Sequence, residues 1–308
     1  DDGIDVGHAD LRVDASSSMG WSADGQPTND ASPISADDAH GTACAGVAAS
    51  IGQNALGGCG VAYDSTTIGV RLITSGGIFD SNLRDAVLAL EPRERHVLSN
   101  SWGPYEMTIN GPFDTFAGYS QIRSTLDRSG GRGGKGTVLV WAAGNGGIHD
   151  NVNNDGYNAH PRTISVTSVG DDGGRTSYSE FGACIDVAAP SNGGWKAITT
   201  TDISGGDGYT PTDYTDAFGG TSSATPLVSG VIALMLDTNP DLTLKDVRYI
   251  LGATATVNDP GDPLWYTNAA GRKHNPVYGF GVVNASAAVL MSYQFASLPD
   301  LQRIELAS

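Results

Sequence analysis

One stretch in the last third of the chain cannot lie on a surface. Ser223 to Leu236 is built almost wholly of small and apolar residues, and a helix that is apolar all round belongs inside a core. Just before it stands Gly219-Gly220-Thr221-Ser222, and Pro226 follows. The two glycines let backbone approach a bound group closely. Pro226 falls in the opening turns of the helix, where a missing N–H costs least. Ser222 is therefore expected where the first helical N–H groups lack partners, surroundings that favour an oxyanion.

A serine hydroxyl becomes a nucleophile only with a base and an orienting acid. His40-Gly41-Thr42 opens a second small-residue helix, expected over His40–Ser50, and Asp1-Asp2-Gly3 begins the chain. Acid, base and nucleophile thus follow one another in the subtilisin order, unlike chymotrypsin or the α/β-hydrolases. Leu139 to Gly147 reads as a strand ending in the amide of Asn145, suited to donating a hydrogen bond to a developing oxyanion. Further strands are expected over 65–73, 96–100, 136–142, 163–169 and 185–188. Helices are expected over 82–91, 115–128, 223–237, 243–253 and 285–292, and 202–218 reads as a surface hairpin or loop. Alternating strands and helices give an α/β fold with a mainly parallel central sheet flanked by helices.

These four motifs together resemble the subtilisin-like serine proteases, and several segments resemble the kexin/furin-like branch. They are Asp1-Asp2-Gly3-Ile4, His40-Gly41-Thr42-Ala43-Cys44-Ala45-Gly46, Ser101-Trp102-Gly103-Pro104, Asn154-Asp155-Gly156-Tyr157 and Trp265 to Phe280. The resemblance implies a three-layer subtilisin-like peptidase domain over residues 1–290, with a tail or linker over 291–308. It also implies a strand, a propeptide and a signal peptide before Asp1, a β-rich P domain downstream, and a secreted or extracytoplasmic location. The implied machinery is Asp1, His40, Ser222 and Asn145. Implied substrate contacts are Asp2 and Asp37, for the residue one before the cleaved one. Asp155 serves the cleaved residue, Ser101, Trp102 and Gly103 form the binding edge, and Tyr157 lies near a more distant subsite. Carboxylates in a partly dehydrated pocket pair with Arg and Lys, so cleavage after a basic residue, or after a dibasic pair, is implied. Calcium is the implied cofactor, held by Asp10, Asn54 and the carbonyls of Leu56 and Gly58 at one site. At a second site the ligands are Glu106, Asp150 and Glu180, because hard oxygen ligands favour Ca²⁺.

Composition sets the limits of this reading. The 308 residues and 42 glycines suit one large globular domain. A net charge of −17 excludes a nucleic-acid partner, since phosphate would be repelled, and suits basic peptide or protein substrates and divalent cations. The bland alternative, a merely solvated acidic surface, explains the global charge equally well. Cys44, Cys59 and Cys184 are an odd count, which excludes a disulfide scaffold but leaves a Cys59–Cys184 pair open. The histidines at 8, 40, 96, 149, 160 and 274 form no ligand-spaced pair, so zinc is not expected. No apolar run is long enough to span a membrane. Two other functions fit less of the sequence: a broad-specificity secreted subtilisin, and an inactive binding module on the same fold.

Overall fold

The structure, a computed structural model, describes residues 1–74, 96–104 and 131–299. Its centre is a four-stranded sheet of β4 (Val97–Asn100), β5 (Val138–Ala142), β6 (Thr163–Val169) and β7 (Ile185–Pro190). The strands lie side by side in chain order and every pair is parallel. Parallel sheets are covered on both faces, so their strands read as continuous apolar runs. β5 shows this directly, because all five of its residues are buried. Successive side chains of a strand point to opposite faces, so β5 serves two cores. Val138 and Val140 enter one with Val228, Val231, Ile232 and Met235, while Leu139 and Trp141 enter the other with Trp21, Leu72 and Trp102.

The first core is closed by α2 (Gly220–Thr238), the buried helix expected from the sequence. It begins three residues earlier than expected, so Ser222 lies inside its first turn. Beside it run α1 (His40–Ala49) and, on the outer side, α3 (Leu244–Thr254) and α4 (Ala285–Ser292). The start of α3 is a reciprocal cap: Thr243 accepts from the Asp246 N–H while the Asp246 carboxylate accepts from Thr243. The result is α/β in layers, with helices packed on a parallel sheet.

Other expectations need correction. The strand expected over 65–73 shrinks to β3 (Val70–Arg71), which pairs only with β1 (Met19–Trp21); β1 also pairs with β2 (Pro27–Thr28). The expected 202–218 loop ends in β9 (Tyr214–Phe218), antiparallel to β8 (Ile198–Thr201). A small hairpin, β10 (Tyr266–Thr267) and β11 (Lys273–His274), completes the described elements. The helices expected over 82–91 and 115–128, Glu106 among the expected ligands, and residues 300–308 of the expected tail lie outside the described residues. All three cysteines are free thiols, so Cys59 and Cys184 form no pair.

Helix α1 is seated on β8 through Gly46. The hydroxyls of Thr200 and Thr201 donate to the carbonyls of Ala43 and Thr42 at 2.7 Å each. A Cβ on Gly46 would collide with both hydroxyls and with the Thr201 backbone nitrogen. Gly46→Ala therefore overpacks this seam and should lower unfolding stability by about 1–3 kcal/mol. Denaturant unfolding checks this, and an unchanged midpoint would contradict the seam.

Candidate functional site

Asp1 and Asp2 together fix the start of α1, each with a different duty. The Asp1 carbonyl accepts from the N–H groups of Leu72 and Ile73 at 2.8 and 3.0 Å, which ties the residue to the end of β3. Its carboxylate oxygens lie 3.0 and 3.1 Å from His40 Nδ1. Ala39, at the N-cap position, offers no side-chain cap. The Asp2 carboxylate fills that role, accepting from the N–H of His40 at 3.1 Å and of Gly41 at 2.7 Å. A carboxylate at a helix N-terminus satisfies orphan donors and opposes the positive end of the dipole. Asp2 is thus bound into the helix start rather than standing as a free pocket acid. Asp37 is fully exposed nearby.

The imidazole is held on several sides. Phe218 meets it edge-on at 5.4 Å, and Cys44, one turn along α1, places its sulfur 3.8 Å from Nδ1. The same sulfur lies 3.6 Å from the Ser222 carbonyl, so the imidazole and the serine turn share one neighbour. Ser101 adds a second tie, donating to the Ser222 carbonyl at 2.9 Å. The Ser222 hydroxyl itself donates to the Ser101 carbonyl at 3.3 Å. Catalytic hydrogen bonds commonly shorten and realign only once substrate is bound.

The orientation of the Asn145 amide follows from chemistry. Its oxygen accepts from both the N–H and the hydroxyl of Thr221, at 3.0 and 3.1 Å. Both partners are donors, so the oxygen must be the end facing Thr221 and the NH₂ the end turned away from it. Asn145 and Ser222 line one small cavity of about 60 Å³. Its far wall carries three carboxylates, Asp150, Asp155 and Glu180, with Trp102 and Gly103 at its edge. Asp155 is oriented by the Tyr157 N–H at 2.8 Å and the Asn158 amide at 2.6 Å. Glu180 accepts from the Gly146 N–H at 3.2 Å and occupies the space a Cβ on Gly144 would need. A wider cavity of about 810 Å³, lined by Lys135, Arg162, Arg248 and Arg272, contains none of these residues.

Trp102 and Tyr157 face inward more than a binding edge requires. The Tyr157 ring stacks on Trp141 at 4.8 Å, and Trp102 packs edge-on against both rings. They brace the wall of the cavity from behind.

Among the expected calcium ligands, the structure brings Asp10, Asn54 and Gly58 together. Asp10 is fully buried, and its carboxylate accepts from the Asn54 amide at 2.6 Å and the Gly58 N–H at 3.1 Å. Asp10 offers hard oxygens, while Asn54 turns its NH₂ and Gly58 its N–H toward it, so a cation at Asp10 would require those two groups to turn their oxygens inward. Gln53 and Ala55 hold positive φ in the same loop. Leu56 is exposed and turns its N–H to the Asn54 oxygen, and Gly58 presents its N–H rather than its carbonyl to Asp10. Asp150 and Glu180 converge on the carboxylate wall of the cavity. The carboxylate of Asp1, the imidazole of His40 and the thiol of Cys44 also offer ligand atoms within 4.8 Å of one another.

Burial works toward the neutral imidazole at His40. The charge and hydrogen bond of Cys44, with the charges of Tyr209 and Asp2, outweigh it, so the group is pushed up to about 9. His40 therefore keeps its proton well above the usual histidine range. Removing the first of the raising groups lowers that midpoint, so Cys44→Ala should move the His40 titration to lower pH. NMR titration of labelled histidine checks this, and an unmoved midpoint would contradict it.

The sequence matches the Subtilase family over residues 1–281. It is 34% identical to neuroendocrine convertase 2 of Drosophila melanogaster over 99% of this chain and 46% of the relative. It is equally 34% identical to furin of Homo sapiens, over 97% of this chain and 37% of that protein. The chain thus spans less than half the length of these curated relatives. The serine protease of Aeromonas sobria, solved with the chaperone ORF2, superposes with a TM-score of 0.88 at 26% identity, covering 97% of this chain and 60% of that one. A protease of Pseudoalteromonas arctica superposes at 0.71 and 26% identity, covering 94% of this chain and 88% of that one.

Proposed function

Because the chain belongs to the subtilase family, we propose that it is a serine endopeptidase that cleaves after Arg or Lys. The observation that carries the proposal is the Asp1 carboxylate bonded to Nδ1 of an imidazole that shares the Cys44 sulfur with the Ser222 turn. With Nδ1 committed to Asp1, Nε2 is the nitrogen left to act as base once the imidazole is neutral, so hydrolysis rises with pH toward about 9. Ser222 Oγ attacks the scissile carbonyl as its proton passes to Nε2. The new oxyanion takes hydrogen bonds from the Asn145 NH₂ and the Ser222 backbone N–H. Collapse expels the amine, which takes the proton from His40, and water repeats the sequence to release the acid.

The substrate's acyl half lies along Ser101-Trp102-Gly103 as an added strand. Its basic side chain enters the cavity walled by Asp150, Asp155 and Glu180. Asp37, an exposed acid three residues before α1, is offered to a second basic residue before the cut. Asp155 is the carboxylate of the three that meets this basic side chain when Asp150 and Glu180 hold an ion, and a broad-specificity subtilisin would not need it there. Calcium, when bound, supplies structural cross-linking: Asp10, Asn54 and the 56–58 loop would hold one ion, and Asp150 and Glu180 would take part in holding another. Residues 291–308 are proposed as a linker to further domains, and the protein is proposed to act outside the cytoplasm. No helix among the described residues is long and apolar enough to cross a membrane.

Asn145→Ala should lower kcat by about 10²–10³-fold with little change in KM. On a peptide library, Asp155→Asn should cut the preference for Arg and Lys at the cut position by roughly 10-fold or more. A wild type that cleaves without regard to that residue would end the basic-pocket reading. Chelation with EGTA should lower the thermal midpoint by about 5 °C, the effect of losing a ligand present at 100 times its Kd. Asp10→Asn should abolish most of that calcium dependence, and equal midpoints with and without calcium would contradict the site.

A further inference from the structure

Trp195 is the most exposed large apolar side chain among the described residues, at 97%. Single exposed apolar residues are ordinary, so exposure alone decides nothing. What sets Trp195 apart is a short loop that holds it rigidly beside the serine turn.

The loop is fastened at its start to the residues around Ser222. The Gly220 N–H donates to the Asn192 side-chain oxygen at 3.0 Å, and the Ser191 hydroxyl donates to the Gly220 carbonyl at 2.7 Å. Ser191 also bonds the Ser223 hydroxyl at 2.7 Å. Tyr178 clamps the same place, its hydroxyl donating to the backbone and side-chain oxygens of Asn192 at 2.6 Å. At the far end the Trp195 N–H donates to Asp171 at 2.9 Å. Between these points Gly193 has a φ of +127°, which an L side chain rarely adopts, and a Cβ on Gly194 would strike Asp171. Only Gly193 and Gly194 separate Asn192 from Trp195, so the two Cα atoms lie at most about 10 Å apart. The Trp195 backbone is therefore tethered to the Ser222 turn, and its indole stands in solvent, on a loop with little freedom to fold it away.

The side of the site follows by exclusion. The cavity that contains Ser222 is lined by residues 101–104, 142–145, 150–155, 180, 221 and 222, and by none from the 191–196 loop. The acyl half of a peptide occupies that cavity and the 101–103 edge. What remains for Trp195 is the half that leaves.

We propose that Trp195 is a specificity-determining contact for an apolar or aromatic side chain in the first two residues after the scissile bond. This inference rests on the endopeptidase reading above and adds a preference on the leaving side. An indole offers a wide, stiff surface for such a side chain at low entropic cost. Gly or Ser at those positions leaves it in water.

The test uses peptides sharing one acyl half with a basic residue at the cut, carrying Phe, Leu, Ser or Gly at either position after it. A chromogenic anilide of the same acyl half has no leaving peptide and serves as the control. Wild type should cleave the Phe and Leu peptides with kcat/KM about 10-fold above the Gly peptides. Trp195→Ala should remove that gap, Trp195→Phe should restore most of it, and all three proteins should hydrolyse the anilide alike. An undiminished gap in Trp195→Ala, or no gap in wild type, overturns the inference while anilide cleavage keeps the endopeptidase reading intact. A wild type that cleaves neither peptide nor anilide overturns both.

Discussion

The whole site depends on two neighbouring carboxylates that hold the start of one helix. Asp1 takes the ring of His40 and Asp2 takes the backbone N–H groups of His40 and Gly41. One acid sets the tautomer and rotation of the imidazole, and the other fixes where the helix that carries it begins. Either alone would leave the ring loose, because a histidine at the first turn of an uncapped helix frays with that turn. Both acids are themselves anchored through the Asp1 carbonyl to the backbone after β3. The imidazole is positioned by covalent neighbours on one side and by a strand end on the other.

Ser222, the proposed nucleophile, is positioned by a different device, close backbone packing. Ser222 sits in the first turn of a helix sheathed by the sheet and by α1, and its carbonyl is held by Ser101 and approached by Cys44. Small residues make this possible. A side chain on Gly46 would push α1 off β8, and one on Gly230 would meet Val61 and the Ala48 carbonyl. The seating of the helices that carry His40 and Ser222 thus depends on glycines in their packing, about two turns along from those residues.

Much of this was legible in the sequence because it is local or periodic. The apolar run of β5 announces a strand buried on both faces, and the Thr243–Asp246 spacing announces a helix start. The four motifs gave the site residues their roles by resemblance, and the structure brings Asp1 to His40 and Asn145 to Ser222. The features that escaped depend on distant pairing. Asp2 caps a helix 38 positions away, and no local pattern marks that. The Thr-rich 198–201 segment carried the β-branched signal of a strand, but its partner lay beyond a glycine-rich loop. The 65–73 run had the composition of a long strand and found only two residues' worth of partner. Asn192 and Ser191 read as ordinary loop residues, and only the fold shows them holding Gly220.

The acidic composition gains a local meaning from the same geometry. Three carboxylates wall the cavity beside Ser222, while Asp2 and Asp246 are engaged in capping helices. Acids of one type thus cap helices, hold an imidazole and line a cavity, and only their partners distinguish them. The most direct measurement is reaction with a phosphonate ester bearing an arginine-like side chain, followed by mapping of the adduct. Stoichiometric phosphonylation of the Ser222 oxygen, slowed strongly in Asp1→Asn, is the predicted result. Failure to label Ser222 in folded, calcium-supplied protein, or an adduct on any other residue, would contradict it.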